Sequence, residues 1–307
     1  MLTIEELIDC VRKKDPDLDH VATANFKLTL SQIKSLLEVL KVNDIVQTLD
    51  LSVINLEDCS ELMKCLLKCL KVNRSIIYLN LGNNNLGNCP KGLKYLSESL
   101  KVNRSIRELY LSDNNLGNCP KGLKYLSESL KVNRSIQKLY LGYNNLGNCP
   151  EGMKYLSESL SVNRSIRELF LNNNNLGNCP EGMKYLSESL KVNRSIQELW
   201  FYGNNFGGCP EVMKYLSEFL TVNESIQKLC LTNNNLGDCF EGMGYFLESL
   251  KINGTIQRLY LGYSNNLDET IWTEITNIIE RNIHNNLLKS SYLFDMLLHS
   301  QRMITKV

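Results

Sequence analysis

The chain has 307 residues, of which 43% are hydrophobic and 22% charged, and its formal net charge is +1. A charge so near zero provides no strongly basic or acidic field, which excludes binding of nucleic acid or lipid surfaces driven by bulk charge. The N-terminus carries acids in its first turns and lacks the pattern of a signal peptide. No apolar run approaches the roughly 18 to 20 residues of a membrane helix. We therefore expect neither nucleic acid nor a membrane as partner.

Eleven cysteines, an odd number, with no export signal favour free thiols in a reducing compartment, so we predict a cytoplasmic protein. One pattern favours a secreted, glycosylated receptor instead: seven asparagines each open an N-x-S/T sequon. We interpret each of them as the end of a helix in the left-handed conformation, which asparagine tolerates. They are Asn73, Asn103, Asn133, Asn163, Asn193, Asn223 and Asn253.

The chain opens with residues that predict an amphipathic helix over 2–13, followed by a helix over Ser31–Leu40 in a degenerate unit, and we take 1–43 as an N-terminal cap. Eight units of about thirty residues then fill 44–283, and Leu86–Ile106 recurs unchanged at Leu116–Ile136. Helices predicted over Ile271–Ile279 and Leu287–Met303 end the array, with 284–307 as a C-terminal cap. A period of this length indicates a solenoid, so we predict a single structural domain.

One unit contains one strand and one helix. Leu79 and Leu81 alternate with exposed residues as in a short strand. The helix is predicted to begin at Pro90, where the missing N–H of proline costs least. Its inward stripe consists of leucines at i, i+3 and i+7, beginning with Leu93. An asparagine column at Asn84 and its equivalents is predicted to satisfy buried backbone groups in the turn.

The recurring IxxLxLxxNxL spacing, with a helical LSESLKVN half, resembles the leucine-rich repeat family in its ribonuclease-inhibitor-like subclass, also found in the sensor part of NOD-like receptors. The resemblance covers roughly residues 44–283. It implies an α/β horseshoe with parallel strands on the concave face, helices on the convex face and helical caps at both ends. Two departures are a longer strand-to-helix loop (GNCPKG) and Ile54 in place of the ladder asparagine.

The residue between the two strand leucines is expected to point outward from the concave face, and five of eight copies are aromatic. Rigid exposed rings are typical of interface hot spots. The alternative interpretation is that neighbouring rings only stack on one another along the sheet and stabilise it. We predict partner-binding anchors at Tyr110, Tyr140, Phe170, Trp200 and Tyr260. Beside them lie Tyr202, Tyr143 and Tyr263.

A second concave column carries charges of both signs, at Glu108, Lys138, Glu168, Glu198, Lys228 and Arg258. Exposed ion pairs contribute about 0 to 1 kcal/mol each, so this column is expected to influence partner choice more than stability. A solvated charged surface is the alternative interpretation.

No catalytic motif is present, and we predict a protein that is not an enzyme and that binds no cofactor and no metal. Seven cysteines lie thirty residues apart, from Cys59 to Cys239. A zinc site needs four ligands at about 2.3 Å from one point, which residues one repeat apart do not provide. We interpret the cysteines as small buried filler beside the helix starts.

The predicted function is therefore a protein–protein interaction module that binds through the concave sheet and its adjacent loops. Two alternatives stay open: a homodimer that buries the aromatic face, and an adaptor or substrate receptor that recruits an enzyme complex.

Overall fold

A curved, nine-stranded parallel sheet forms one face of the described chain. The computed structural model describes residues 3–23, 26, 28–54 and 59–304, without the side chains of Tyr263 and of residues 289–304. The strands follow one another in chain order. They are β1 (His20–Ala22), β2 (Thr48–Asp50), β3 (Tyr78–Asn80), β4 (Glu108–Tyr110), β5 (Lys138–Tyr140), β6 (Glu168–Phe170), β7 (Glu198–Trp200), β8 (Lys228–Cys230) and β9 (Arg258–Tyr260).

The helices alternate with the strands and form the second layer. Neighbouring strands lie about 4.8 Å apart and packed helices about 8 to 10 Å apart, so the sheet lines the inside of the curve. The helices are α1 (Ile4–Lys13), α2 (Leu30–Leu40), α3 (Cys59–Leu70), α4 (Pro90–Leu100), α5 (Pro120–Val132), α6 (Pro150–Val162), α7 (Pro180–Val192), α8 (Pro210–Leu220), α9 (Phe240–Ile252) and α10 (Glu269–Ile304).

Each unit contributes the same apolar groups to one continuous core. From β2 to α9, the strand leucine and the residue two positions after it are buried, as are the three helix positions predicted to face inward. Five of the helices begin at a proline, as the sequence predicts. The fold class predicted from the sequence, a leucine-rich repeat solenoid with helices outside the sheet, is confirmed.

The strand-to-helix loop contains a short 3-10 helix that the sequence did not predict, over Leu86–Asn88 in the first full copy. Asn85 precedes it in the left-handed conformation. Gly87 lies against the next unit, where an added Cβ would stand 2.0 Å from the carbonyl oxygen of Asn115. The close approach of the two backbones therefore requires glycine at this position.

The asparagine column joins each turn to the unit before it. The Oδ1 atom of Asn114 accepts hydrogen bonds from the backbone N–H of Asn84 at 3.0 Å and of Leu86 at 3.2 Å. Its Nδ2 donates to the carbonyl of Leu81 at 2.9 Å. Because each side chain serves the preceding turn, the bonds between units repeat along the array.

A second buried amide column corrects the interpretation of the sequon asparagines. Asn133 has φ −68° and ψ 139°, which is extended backbone and not the left-handed conformation that we expected. Its Nδ2 donates to the carbonyl of Leu100 at 2.8 Å, and its Oδ1 accepts from the N–H groups of Ser135 and Ile136 at 2.9 Å each. All seven sequon asparagines are buried.

Helices cover both ends of the core. Thr3 and Glu6 form a capping box at the start of α1, which buries Leu7 and Val11. At the other end, α10 is one continuous helix of 36 residues that runs across the predicted boundary between 283 and 284. Both segments predicted to be helical lie within this helix, so only the predicted break between them is wrong. Among the described residues, no helix combines the length and apolar composition needed to span a bilayer.

Candidate functional site on the concave face

Two columns of side chains project from the concave face, because residues alternate between the faces of each three-residue strand. The middle residue is a leucine buried in the core from β2 to β8, and its two neighbours are partly exposed in most strands. The register offset is thirty residues throughout β2 to β9, so equivalent side chains stand directly beside one another.

The predicted aromatic column and Tyr78 form a row of ring contacts along the sheet, which we call the aromatic ladder (Tyr78, Tyr110, Tyr140, Phe170, Trp200 and Tyr260). The centroids of Tyr110 and Tyr140 lie 3.8 Å apart with an interplanar angle of 9°. The Tyr140–Phe170 centroids are 4.1 Å apart, and those of Phe170 and Trp200 are 5.5 Å apart. The rings therefore stack on each other along the sheet, as the alternative interpretation of this column proposed.

Stacking determines which part of each ring remains available. The faces of the inner rings are covered by their neighbours, so these rings present their edges and hydroxyl groups to the concave space. A ring edge carries the positive part of the aromatic quadrupole and favours acceptors or the face of another ring. The ladder therefore offers no open slot in which a flat ligand can stack between two rings.

Tyr78 belongs to the ladder although the sequence analysis did not assign it there. It stands at the charged column's position in β3, and its ring lies 4.6 Å from that of Tyr110 with a tilt of 36°. Beneath it, the Nδ2 of Asn80 donates to the Oδ2 of Asp50 at 3.0 Å. A diagonal contact between neighbouring strands was the available signal, since long side chains reach residues offset by two.

The ladder is interrupted at β8, where Cys230 occupies the aromatic position and is buried. The Trp200 and Tyr260 rings close over the gap, with centroids 5.6 Å apart. The indole Nε1 of Trp200 is buried and has no hydrogen-bond partner among the described residues. A buried donor without an acceptor costs about 1 to 3 kcal/mol, so the position of the Trp200 indole has an energetic cost.

Three tyrosines retain much more accessible ring surface than the inner ladder. Tyr143 is 58% exposed, Tyr260 41% and Tyr202 38%. Tyr143 also has a φ of +56°, at a turn position that is left-handed in the other units too, where they carry asparagine, aspartate, glycine or, at Val53, valine. A bulky residue in the left-handed region is strained. The predicted Tyr263 lies in a 3-10 helix, and its side chain is outside the described residues.

The charged column forms ion pairs between neighbouring strands. The Nζ of Lys138 lies 3.6 Å from Glu108 and 3.5 Å from Glu168, and Lys228 pairs with Glu198. Burial opposes the charge on Lys138, but Glu168 and Glu108 together raise its pKa above the ordinary value. Arg258 is exposed at the end of the column. The predicted residues of this column thus lie together on one surface, with most of their charges already paired.

Burial raises the pKa values of the three ladder tyrosines Tyr78, Tyr110 and Tyr140 above the ordinary value. Their phenols therefore stay protonated at neutral pH and act as hydrogen-bond donors. The hydroxyl of Tyr110 donates to the Oε2 of Glu108 at 3.2 Å. The ladder and the charged column are consequently joined by hydrogen bonds.

The cysteine column lies away from this face, at the starts of the helices. Cys119, Cys149, Cys179 and Cys239 are buried, and the thiols of these four residues are free. Burial raises the pKa of Cys149. In the part of the chain that the structure describes, no group of three or more His, Cys, Asp or Glu side chains is arranged to hold a metal ion.

Comparisons with known proteins agree with this geometry. A family model described as Leucine Rich repeat matches residues 102–127. No curated protein matches the chain. The crystal structure of the leucine-rich repeat-containing protein LegL7 from Legionella pneumophila is similar with a TM-score of 0.60 and 18% identity, covering 85% of this chain and 80% of that one.

Two further solved structures align over most of their length but with little geometric agreement. Leiomodin-1 Actin-Binding Site 2 shares 12% identity, over 99% of this chain and 98% of that chain, with a TM-score of 0.21. The tropomodulin C-terminal domain from Caenorhabditis elegans shares 14% identity, over 94% and 98%, also with a TM-score of 0.21. Scores this low add nothing to the fold assignment.

The repeat, the sheet register and the LegL7 likeness define the class of fold: the chain is a leucine-rich repeat solenoid, and the family model matches one of its repeats. Units of thirty residues with a full α-helix in each are consistent with the ribonuclease-inhibitor-like subclass. Solenoids of this kind generally serve as protein–protein interaction modules, because their curvature creates an extended concave surface.

Proposed function

We propose that the protein binds a protein partner on its concave face, through Tyr143, Tyr202 and Tyr260 together with the outward edges of the aromatic ladder. The observation that carries the proposal is the conformation of Tyr143. The left-handed region costs a residue with a side chain about 1 to 2 kcal/mol. Strain of this kind is concentrated at functional sites, where a contact with a ligand compensates for it.

The ladder supplies a rigid base for such an interface. Six stacked rings lose little side-chain freedom when a partner covers their edges, since the stack already fixes their rotamers. The exposed tyrosines add both apolar area and a hydroxyl, a combination that is enriched at hot spots. The pairs formed by Lys138 and Lys228 lie beside them and favour a partner with complementary charges.

We further propose that this binding takes place in the cytoplasm and without catalysis. Several cysteines are buried free thiols, among them Cys119, Cys149 and Cys179. A glycan on any sequon asparagine would remove a buried amide that bonds two units, so the fold disfavours a glycosylated form. Both observations support a reducing compartment.

The test uses binders selected from a displayed peptide library on the wild-type protein. The variant Y143N/Y202T installs the residues that other units carry at these positions, such as Asn173 and Thr232. Two hot-spot rings at about 1 kcal/mol or more each predict a binding loss of at least about 30-fold. Calorimetric titration with the purified peptide measures this loss.

The matched control is F240P. Phe240 is 93% exposed at the start of α9, where five other helices begin with proline. Its replacement removes an exposed ring outside the concave face and is expected to leave affinity unchanged. Selected peptides whose affinity is the same for Y143N/Y202T as for the wild type, or is lowered equally by F240P, would contradict the concave interface. Sedimentation at two concentrations identifies a second copy of the chain as the partner.

A further inference from the structure

One flank of the solenoid, where each helix returns to the next strand, carries a row of exposed aliphatic side chains that we call the valine stripe. All are at least 46% exposed, and the highest value is 75%. The stripe consists of Val42, Val72, Val102, Val132, Val162, Val192, Val222 and Ile252. Single exposed apolar residues are normal on a protein surface, but a continuous row through eight units indicates an interaction surface.

A second row, the arginine row (Arg74, Arg104, Arg134, Arg164 and Arg194), runs parallel to the valine stripe two residues further along each unit. All five side chains are exposed. In Arg134 the Nη1 atom donates to the carbonyls of Lys131 and Asn133 at 2.9 Å each, and the other copies repeat this arrangement or a close variant. These bonds occupy one nitrogen of the guanidinium group and fix the group next to the C-terminal end of the helix.

The arginine row differs from the lysines beside it in its charge partners. Lys101 lies 3.5 Å from Glu128, and Lys131 lies 3.0 Å from Glu158. Within the described part of the chain, by contrast, none of the five arginines takes part in an ion pair. Arg107 and Arg167 lie close by, reach the flank of the next unit at 3.4 Å, and are likewise without an acidic partner there.

The net charge of +1 therefore hides a strong separation of charge. The arginine row occupies five consecutive units and stops at both ends, where Asp44 and Glu224 stand at the equivalent positions. An arginine guanidinium recognises carboxylates through paired hydrogen bonds and is always charged. A row of such groups beside an aliphatic row matches a partner that alternates acidic and aliphatic residues.

We propose that this flank docks an acidic, extended protein segment, seated between the valine stripe and the arginine row. The flank lies between the sheet, with its spacing of about 4.8 Å, and the helices, with about 8 to 10 Å, so its repeat is about 6 to 7 Å. Alternate residues of an extended chain are about 6.6 Å apart. One dipeptide therefore spans one unit, with its acid toward arginine and its aliphatic residue toward valine.

The side chains on the flank favour a peptide over the other anionic surfaces. Valine is too short to anchor a protein in a bilayer, where tryptophan, phenylalanine and leucine are the usual inserting residues. Nucleic-acid strands need aromatic platforms for their bases, and the two rows contain none. This surface is separate from the concave face and does not depend on the function proposed there.

The test measures fluorescence anisotropy of a labelled ten-residue peptide that alternates glutamate and valine. The variant R104E/R134E puts glutamate at the arginine position of two units. The native chain already has a glutamate at this position, Glu224, and the neighbouring Asn223 keeps its hydrogen bonds there. The matched control K91E/K121E makes the same change of charge on the convex helices, as Glu151 and Glu181 do naturally. We expect R104E/R134E to weaken binding at least about tenfold in low salt and K91E/K121E to leave it within about twofold.

A peptide with the same ten residues as a glutamate block followed by a valine block tests the geometry, and V102T/V132T tests the aliphatic row. We expect weaker binding in both cases. Equal affinity for the block peptide, equal loss in the two charge variants, or preferential binding to phosphatidylserine vesicles or a single-stranded oligonucleotide overturns the proposal. Y143N/Y202T is expected to leave the peptide affinity unchanged, which separates this surface from the concave one.

Discussion

Replacement of the ladder asparagine Asn144 by alanine is predicted to destabilise the protein strongly. Its Oδ1 accepts hydrogen bonds from the N–H of Asn114 at 3.0 Å and of Leu116 at 3.2 Å. Its Nδ2 donates to the carbonyls of Leu111 and Leu141 at 2.9 and 3.0 Å. All of these groups are buried, so water does not replace the lost side chain.

The size of the expected stability loss depends on which of these backbone groups have a second hydrogen-bond partner. The carbonyl of Leu111 also accepts from the Nδ2 of Asn114, and that of Leu141 from the Nδ2 of Asn174. The two N–H groups that bond the Asn144 side chain have no such substitute among the described contacts. At about 1 to 3 kcal/mol for each unsatisfied buried donor, N144A is expected to cost about 4 kcal/mol.

Guanidinium-induced unfolding, followed by both tryptophan fluorescence and circular dichroism, measures this loss. The m-value must stay constant for the comparison to hold. Asn118 is exposed in the neighbouring unit, and N118A is expected to change the free energy of unfolding by less than about 0.5 kcal/mol. A cost below about 1 kcal/mol for N144A, or an equal cost for N118A, would refute the account of the asparagine column.

Two further predictions concern close packing and pH. G147A places a Cβ 2.1 Å from the Asn175 carbonyl oxygen and is expected to lower the free energy of unfolding by at least about 2 kcal/mol. In G244A the added Cβ meets nothing within 4 Å, and we expect this variant to stabilise α9 by about 0.5 to 1 kcal/mol. Thermal unfolding of the two variants and the wild type measures both effects. Burial raises the pKa values of Tyr110 and Tyr140, so their contribution to stability is present below the unfolded value of about 10 and is lost as pH rises above it. Y110F/Y140F is expected to flatten the decline between about pH 9 and 11, and an unchanged slope would show that these phenols are not responsible.

The repeat made the backbone architecture readable from the sequence. Leucine spacing indicated the strand and the helix stripe, and Pro90 marked the helix start, because each of these features depends on neighbours within a few residues. The role of Asn84 followed from the same local logic. The sequon asparagines were misread because asparagine suits both a left-handed position and a position where its side chain accepts from the N–H groups two and three residues further along.

The arrangement of the candidate site was less accessible, since it depends on contacts between units. The sequence placed five aromatic residues in one column, but the tilt and overlap of their rings depend on the rotamers that neighbours allow. Tyr78 joined the ladder through a diagonal contact that column assignment did not consider. The continuity of α10 was likewise not specified by a local signal in the sequence.

The constant offset of thirty residues between neighbouring strands has a consequence for how such a protein changes over time. Any unit meets its neighbours through the same hydrogen bonds, so an in-frame exchange between two near-identical segments would delete or add a whole unit and leave a matching joint on either side. Each such step alters the length of the inner surface by about 4.8 Å. The length of the concave surface can therefore vary between descendants of one gene while the fold stays the same.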